Sequence, residues 1–455
     1  MRRKLLSEKT LGVLVALLAL FVVAGIAEEE RTDTSGQWTY VLEDGGATVT
    51  GFTEEDFEDF LAIPDELDGY PVRSIGEYAF FDSWITGVTF PDSVTSIGDR
   101  AFSGCWELYS VVIPDSVTHI SEDAFADCRN LLFIFTSYDG TLTCGNAQVI
   151  PFDIEELDLY GVGDADPQLF PRLTALRILS LFDSGITDLT PLSSLENLEE
   201  LYMMACWATD LSPLAGLPRL EYLAADNEEL TDLRPLRELP TLRTLILQDM
   251  ENADFSVLST LTELRSLDVS GCNITDISWL AGMTEMRSLQ LDDNAISDLT
   301  ALGAMTMLEK LDLGRNSISD ISALAGLTSL KELALNDNSL SDLSALAGLT
   351  SLEVLYLSSN PIEDLEPLAE LTSLEVLYLS SNLIEDLGPL AGLTGLTELS
   401  LWGCRFSDPS PLFSLSALER LQVSSNEQMT RESVHMLKEK LPGTEIRSDY
   451  SGAGE

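Results

Sequence analysis

From Leu176 onward, apolar and polar positions return on a fixed period of 22 residues. The clearest copies are adjacent, LEVLYLSSNPIEDLEPLAELTS from Leu352 and LEVLYLSSNLIEDLGPLAGLTG from Leu374. Eleven units begin in phase, at Leu176, Leu198, Leu220, Leu242, Leu264, Met286, Leu308, Leu330, Leu352, Leu374 and Leu396. A degenerate copy precedes them at Ile154 and a closing one follows at Leu418. Counting from the first residue of each unit, positions 1, 4, 6, 11, 14, 17 and 20 are apolar in most copies. Positions 4 and 6 flank an outward position 5, the period of two that a short strand requires. Strands one unit apart would pair in parallel about 4.8 Å apart, so thirteen units predict a sheet roughly 60 Å long. A fixed repeat in the twenties marks a solenoid, in which each unit packs only on its neighbours. The prediction is an α/β solenoid, curved and right-handed, with a parallel β-sheet on the concave face and short helical turns on the convex face.

Position 13 is Asp in twelve consecutive units, from Asp166 and Asp188 through to Asp408. It stands just before D-L-x-P-L-A-x-L, a short helical turn with Pro near its start. A carboxylate there can accept the turn's orphan N–H groups, and Pro suits a first helical turn. Capping therefore explains this row better than a ladder of cations does, because a calcium site needs six to eight oxygens converging on one point.

An earlier repeat differs in kind. Val72 opens VRSIGEYAFFDSWITGVTFPDS, Val94 opens VTSIGDRAFSGCWELYSVVIPDS and Val117 opens VTHISEDAFADCRNLLFIF. Ile75, Ala79 and Phe80 recur as Ile97, Ala101 and Phe102, then as Ile120, Ala124 and Phe125, and so predict a stacked interior. The Pro-Asp-Ser turns at Pro91 and Pro114 should end each strand, since Pro cannot continue a ladder.

The pattern L-x-x-L-x-L-x-x-N-x-I resembles that of leucine-rich repeats. The three early copies, with V-x-x-I-x-x-x-A-F-x-x-C and I-P-x-S, closely resemble the BspA-type leucine-rich repeat over about 45–135. The main array, with I-x-D-L-x-P-L-A-x-L-T-x-L over 154–442, resembles the 22-residue class of internalins and of a phosphatase-regulating nuclear protein. The resemblance implies a leucine-rich repeat horseshoe. For the early repeats it implies a bacterial, less often protozoan, surface or secreted protein. It also gives position 9 a role. Leucine-rich repeats place Asn or Cys there to bond backbone groups after the strand, and Cys206, Cys272 and Cys404 fall at that position. The same scaffold serves many partners, so the likeness speaks for fold more than for function.

The remaining segments complete the organisation. Residues 1–27 carry Arg2, Arg3, Lys4 and Lys9 ahead of an apolar run from Leu11 to Ala27, with small residues Gly25 and Ala27 at its end. This is the pattern of a signal peptide, with an uncleaved anchor as the alternative. Residues 28–135 hold a lead-in and the BspA-type repeats, and 136–153 form a junction that fits neither repeat. The array runs over 154–429. Residues 430–449 read as a terminal cap, with Thr430 capping a helix at about 431–440 before a final edge strand. Residues 450–455 read as a loose tail.

Charge narrows the partners. Lys+Arg number 25 against 76 Asp+Glu, a net charge of −51. Such a surface repels nucleic acid and anionic lipid, so a membrane is expected to be met only through residues 1–27, and only where these are left uncleaved. One-signed charge also keeps a Leu-rich solenoid from self-association, and a monomer is expected. No cofactor or structural metal is expected, although the acidic surface leaves weak calcium binding open. Cys105 and Cys128 occupy equivalent places in adjacent repeats. Whether they or Cys144 pair is not decided by spacing.

Candidate binding residues lie at positions 3, 5 and 7, which alternate with the buried strand positions. One outward cluster holds Tyr160, Phe182, Tyr202, Met204, Tyr222 and Ile246. A second holds Tyr356, Tyr378 and Trp402. Between them the face is polar, with Ser266, Asp268, Gln290, Asp292, Lys310 and Asp312. Aromatic patches rimmed by acids suit recognition, whereas Tyr is also a good strand former that can stack from unit to unit. No catalytic motif appears. The two histidines, His119 and His435, stand far apart, and no phosphate loop, nucleophile elbow or zinc motif is present, so no enzyme is expected. The leading expectation is a secreted or cell-surface protein that binds a protein ligand on the concave sheet. The alternatives are an intracellular scaffold docking a partner enzyme and a glycan-binding module.

Overall fold

Outward and inward positions alternate through the chain as the 22-residue pattern requires, and the resulting strands stack as a solenoid. The computed structural model describes residues 29–53, 60–137, 147–160 and 169–450. The basic and apolar start at 1–27, Cys144, Asp166 and the tail 451–455 lie outside these residues. The chain divides into two units. One comprises residues up to Ile154 together with Ala165–Leu173, the other Glu155–Asp164 and everything from Thr174.

The first unit opens with β1 (Arg31–Thr32), β2 (Trp38–Glu43) and β3 (Gly46–Phe52). Strands β2 and β3 form an antiparallel hairpin. Asp44 and Gly45 make its two-residue turn, both left-handed with φ of 48° and 80°. That is the geometry Asp-Gly favours, because it matches the twist of the strands. Short strands β4 (Phe60–Ala62), β5 (Glu66–Leu67) and β6 (Tyr70–Ile75) lead into the repeats. The repeats supply β7 (Gly87–Thr89), β8 (Ser96–Ile97), β9 (Ser110–Val112), β10 (His119–Ile120) and β11 (Phe133–Phe135). β3, β6, β8 and β10 pair in parallel, with Ile75 opposite Ile97 and Ile97 opposite Ile120. A second ladder joins β9, β11 and β12 (Gln148–Ile150), so part of the expected junction is a strand of the first unit.

The predicted interior is present. Phe80, Phe102 and Phe125 form one column, with centroids 5.1 Å and 5.4 Å apart and near-parallel rings. Ile75, Ile97, Ile120, Ala101 and Ala124 are buried beside them, and Ala79 is partly buried. Trp38 sits edge-on to Phe80 at 6.4 Å, so the hairpin covers the open end of the column. Residues 169–173 belong with this unit rather than with the array their phase suggested. Arg172 pairs with Asp115 at 2.7 Å and lies 3.9 Å over the Phe152 ring.

The second unit is one parallel sheet of fourteen strands in sequence order. They are β13 (Glu156–Asp158), β14 (Ile178–Ser180), β15 (Glu200–Met203), β16 (Tyr222–Ala225), β17 (Thr244–Leu247), β18 (Ser266–Asp268) and β19 (Ser288–Gln290). After these come β20 (Lys310–Asp312), β21 (Glu332–Ala334), β22 (Val354–Tyr356), β23 (Val376–Tyr378), β24 (Glu398–Ser400), β25 (Arg420–Gln422) and β26 (Glu445–Arg447). Register is constant, so position 4 of every unit faces position 4 of the next, as Leu333 faces Leu355 and Leu355 faces Leu377. The leucines at positions 1, 4, 6, 14, 17 and 20 are buried throughout. The helical turns are 3-10 helices of three to six residues, which stack on their neighbours. Helix α1 (Arg431–Lys440) packs on the last of these turns, at Ser410–Ser414. Thr430 Oγ1 accepts the Ser433 N–H at 3.1 Å, while Val434 and Leu437 are buried. The edge strand β26 then closes the sheet.

Two rows of polar residues hold the backbone. From Asp188 to Asp408, every position-13 carboxylate accepts the N–H two residues on, at 2.8–3.0 Å. The row is therefore a series of caps. At position 9, Asn360 Nδ2 donates to the carbonyls of Leu335, Leu357 and Ser358, while its Oδ1 accepts from Leu340 N–H. Cys272 and Cys404 place Sγ on the carbonyl 25 residues back, as the asparagines place Nδ2. Each described cysteine is a buried free thiol, Cys105 and Cys128 included. Hydrogen bonding with Cys128, followed by burial, pushes the Cys105 thiol up.

Candidate ligand-binding face

Side chains at positions 3, 5 and 7 leave the sheet on the face opposite the leucine core, because successive strand residues point to opposite sides. The aromatic candidates are arranged there in pairs. Tyr160 and Phe182, both at position 7, stack at 5.6 Å with planes 11° apart, and are 58% and 42% exposed. Met204 is the next residue in that row and is half-buried. Tyr202 and Tyr222 approach to 4.7 Å from adjacent strands. The strand partner of Tyr202 is Ala224, a small buried residue that leaves the ring room to lie across the sheet. Ile246, half-buried, is the next residue along the row from Ala224.

The second group is Tyr356 and Tyr378, edge to face at 5.1 Å. Trp402 stands apart from them in the position-7 row, 44% exposed, and stacks on no other ring among the described residues. The tyrosines thus stack from unit to unit, as good strand formers do. That same stacking holds the rings rigid and half-covered on an outward face.

Carboxylates orient these phenols. Tyr202 Oη donates to Glu200 Oε2 at 2.7 Å, and this bond, followed by burial, pushes its pKa up to about 12. Tyr378 Oη donates to Glu398 Oε1, and burial, then this bond, push Tyr378 up to about 12 as well. Glu398 also holds the Arg420 guanidinium, and this ion pair is the leading reason its own carboxyl sits below the usual range. A shallow cavity of about 230 Å³ opens beside Tyr378, lined by Glu398, Ser400, Arg420, Gln422 and Arg447.

Between the aromatic groups the face is acidic. Asp268 is buried, with Oδ2 accepting from Gln248 Nε2 at 2.7 Å and Oδ1 from the Ser270 N–H and hydroxyl. Asp312 accepts the Gly314 N–H at 2.9 Å, and burial raises its pKa. Asp292 is pushed up to about 6, first by burial and then by the Asp312 charge. Most cations near the sheet are already paired with acids. Arg177 bridges Glu155 and Glu199, Glu309 takes Arg287 and Lys331, and Lys310 pairs with Glu332. Among the described residues no group of three or more His, Cys, Asp or Glu is arranged to hold a metal ion, and no helix is long and apolar enough to cross a membrane.

Reading strand positions alone missed three exposed indoles, Trp84, Trp106 and Trp207, at 66%, 49% and 70% exposure. Trp207 is at position 10, just beyond the strand. Trp84 and Trp106 share one offset of the early repeat, and aligning those repeats on their outward rather than inward positions would have found them.

Comparisons with known proteins agree with this architecture. The family described as BspA type Leucine rich repeat region (6 copies) matches residues 62–146. Leucine Rich repeats (2 copies) matches 262–304 and 350–392, and Leucine rich repeat matches 306–362. An internalin of Listeria monocytogenes is 33% identical with a TM-score of 0.51, over 59% of this chain and 86% of that one. Two further structures share the fold at lower identity. A leucine-rich repeat protein of Leptospira interrogans has a TM-score of 0.56 at 19% identity, over 76% of this chain and 91% of that one. The leucine-rich repeat ectodomain of the Arabidopsis thaliana membrane receptor kinase GASSHO1/SCHENGEN3, solved with CASPARIAN STRIP INTEGRITY FACTOR 2, has a TM-score of 0.51 at 18% identity, over 90% of this chain and 57% of that one. No curated protein matches the chain. The chain belongs to the leucine-rich repeat family. Within it, BspA-type repeats precede an internalin-like array of 22-residue units.

Proposed function

We propose that this chain acts outside a bacterial cell, secreted or held at its surface, and binds a protein ligand on the outward face of the fourteen-stranded sheet. The observation that carries this reading is the set of outward aromatic pairs. Tyr160 with Phe182, Tyr202 with Tyr222, and Tyr356 with Tyr378 present ring area that the leucine core does not use. Pre-stacked rings lose little side-chain entropy on binding, and aromatic anchors beside polar residues are how a few side chains come to dominate an interface. The acidic middle around Asp268, Asp292 and Asp312 would favour a ligand with a basic centre and speed its approach. The basic and apolar start of the sequence supports export. A host or neighbouring-cell surface protein fits this setting.

The test is capture from host-cell and community surface extracts with the chain carrying Tyr202→Ala, Tyr222→Ala, Tyr378→Ala and Trp402→Ala, compared with the unaltered chain and with Trp207→Ala. The expected outcome is a ligand retained by the unaltered chain and by Trp207→Ala, and lost by the fourfold variant with an unchanged melting profile. Equal retention by the fourfold variant would overturn the reading.

A further inference from the structure

A second aromatic feature lies in the first unit, away from the strand positions discussed above. A hollow of about 220 Å³ is lined by Asp82, Ser83, Trp84, Gly104, Trp106 and Glu107. Its walls come from one offset of two successive repeats, Asp82-Ser83-Trp84 and Gly104-Cys105-Trp106. At the same offset the third repeat carries Asp127-Cys128-Arg129. Both indoles are largely exposed, and among the described residues they make no ring contact with each other.

The third repeat shows what such an indole face accepts. The Arg129 guanidinium lies over the Trp106 ring, 5.6 Å from its centroid. Arg129 approaches from the repeat after Trp106, whereas the hollow lies towards Trp84 in the repeat before. In repeat order the ladder therefore runs Trp84, hollow, Trp106, Arg129. A second guanidinium in the hollow would continue the alternation of indole and cation.

The rim has matching chemistry. Asp82 and Glu107 bring carboxylates, which accept hydrogen bonds and carry negative charge. A planar guanidinium can stack on an indole while its edge donates to a carboxylate. The indole N–H groups and the Ser83 hydroxyl add donors, but the two carboxylates give the hollow a negative charge that favours a cation over a neutral sugar. The net charge of −51 adds a field that draws cations towards the surface.

Gly104 keeps the floor open. It is left-handed at φ 78°, but so are its counterparts Asp82 and Asp127 at 57° and 60°. The backbone at this offset therefore tolerates Asp in both flanking repeats. A Cβ at Gly104 would stand 3.6 Å from the Asp82 backbone, at ordinary contact, so a longer side chain would grow into the hollow. The glycine here serves space more than conformation.

We propose that the hollow between Trp84 and Trp106 is a binding site for an arginine side chain of a basic protein segment. It belongs to a different unit from the aromatic sheet face, so its failure and the failure of the sheet-face reading are separable.

The experiment uses the full chain labelled with 15N at the indoles, each resonance assigned by its own Trp→Phe variant. The probes are acetyl-Gly-Arg-Gly-amide and the same peptide with citrulline, which keeps the shape of arginine but loses its charge. The arginine peptide should shift the Trp84 and Trp106 resonances saturably, with citrulline weaker by about tenfold, as loss of the cation–π and charge terms requires. Trp84→Ala should abolish the response at Trp106 and leave the melting profile unchanged, because Trp84 is exposed. Gly104→Asn, tolerated by a left-handed backbone, should abolish it by filling the floor. Equal shifts with citrulline, or shifts that survive in Trp84→Ala, would overturn the proposal. So would a response to chitotriose with none to the arginine peptide, which would make the pair of indoles a sugar platform.

Discussion

The phenol of Tyr378 on β23 donates a hydrogen bond to the carboxylate of Glu398 on β24, 20 residues later in the chain and one strand over in the sheet. Arg420 on β25 holds the same carboxylate, so three adjacent units share one polar chain at the edge of the second aromatic group. Glu398→Gln keeps the shape and removes the charge. It should bring the Tyr378 phenol down from about 12 towards its model-compound value of 10, read from the ring resonances of 13C-labelled tyrosine. Exposed charge pairs contribute little to stability, so the melting temperature should hardly move. Affinity for a ligand of the sheet face should fall, since one neutral amide oxygen then replaces the two carboxylate oxygens that hold Tyr378 and Arg420.

The position-9 asparagines carry a larger structural load. Asn360 is buried and satisfies three carbonyls and one N–H drawn from two units. Asn360→Ala takes the acceptor from the Leu340 N–H and one donor from each carbonyl, which Asn338, Asn382 and the Asp337 N–H still hold, at a cost of about 2 kcal/mol. Asn360→Cys should cost roughly half as much, because a thiol at this position can still reach the carbonyl 25 residues back, as Cys272 and Cys404 do at 3.1 Å and 3.3 Å. Urea unfolding followed by circular dichroism measures both variants. Equal losses would mean the thiol contributes nothing.

Asp292 works against stability at neutral pH. Burial and the nearby Asp312 charge raise its folded pKa to about 6, above an unfolded value near 3.8. The folded state therefore holds a proton that the unfolded state releases. The associated stability is fully present below about pH 4 and is lost as pH rises through 6. Asp292→Asn should stabilise the chain above pH 6 by about 1 kcal/mol, after discounting for the side chain's partial exposure. It should leave stability at pH 4 nearly unchanged. Thermal melts at the two pH values decide it, and equal shifts at both would contradict the assignment.

The capping row has the opposite sign. Hydrogen bonds from the turns lower the carboxyls of Asp188, Asp298, Asp320 and Asp342, and Asp232, which also holds Arg234, falls to about 2. A depressed folded pKa gives stability that is present above the unfolded pKa, near 3.8, and lost as pH falls through the folded one. The chain should therefore lose stability steeply between about pH 4 and 2. Asp298→Asn together with Asp320→Asn keeps the caps but removes two titrating groups, and should make that acid limb shallower in acid titrations followed by circular dichroism. An unchanged limb would show that the caps do not set it.

Almost everything in this chain that repeats could be read without coordinates. A leucine at position 4 must be buried because its neighbours in the next unit are leucines at the same place, and an Asp before a helical turn must cap it because the N–H groups there have no other partner. Local chemistry multiplied by a fixed period leaves one consistent answer, so the parallel sheet, the caps, the Asn and Cys row and the terminal helix at Thr430 were all legible. The positions where the units differ were not. Whether Tyr202 is a free anchor or half-covered by Tyr222 depends on Ala224 beside it, and whether Trp106 is bare or carries Arg129 depends on the adjacent repeat. Position 8 is left-handed from Asp183 to Ser425 in every unit but that of Asn227, yet glycine signals it only at Gly271 and Gly403, with Asp, Ser, Ala or Arg in the other left-handed units. Residues 169–173 keep phase with the array, yet Arg172 joins them to the first unit through Asp115 and Phe152. By itself the sequence determined the period and the duty of each repeated position, because those rest on interactions between identical residues. Tertiary structure decided which unlike residues meet, because a contact between two different side chains depends on the exact register of strands and turns, to which the repeat is blind.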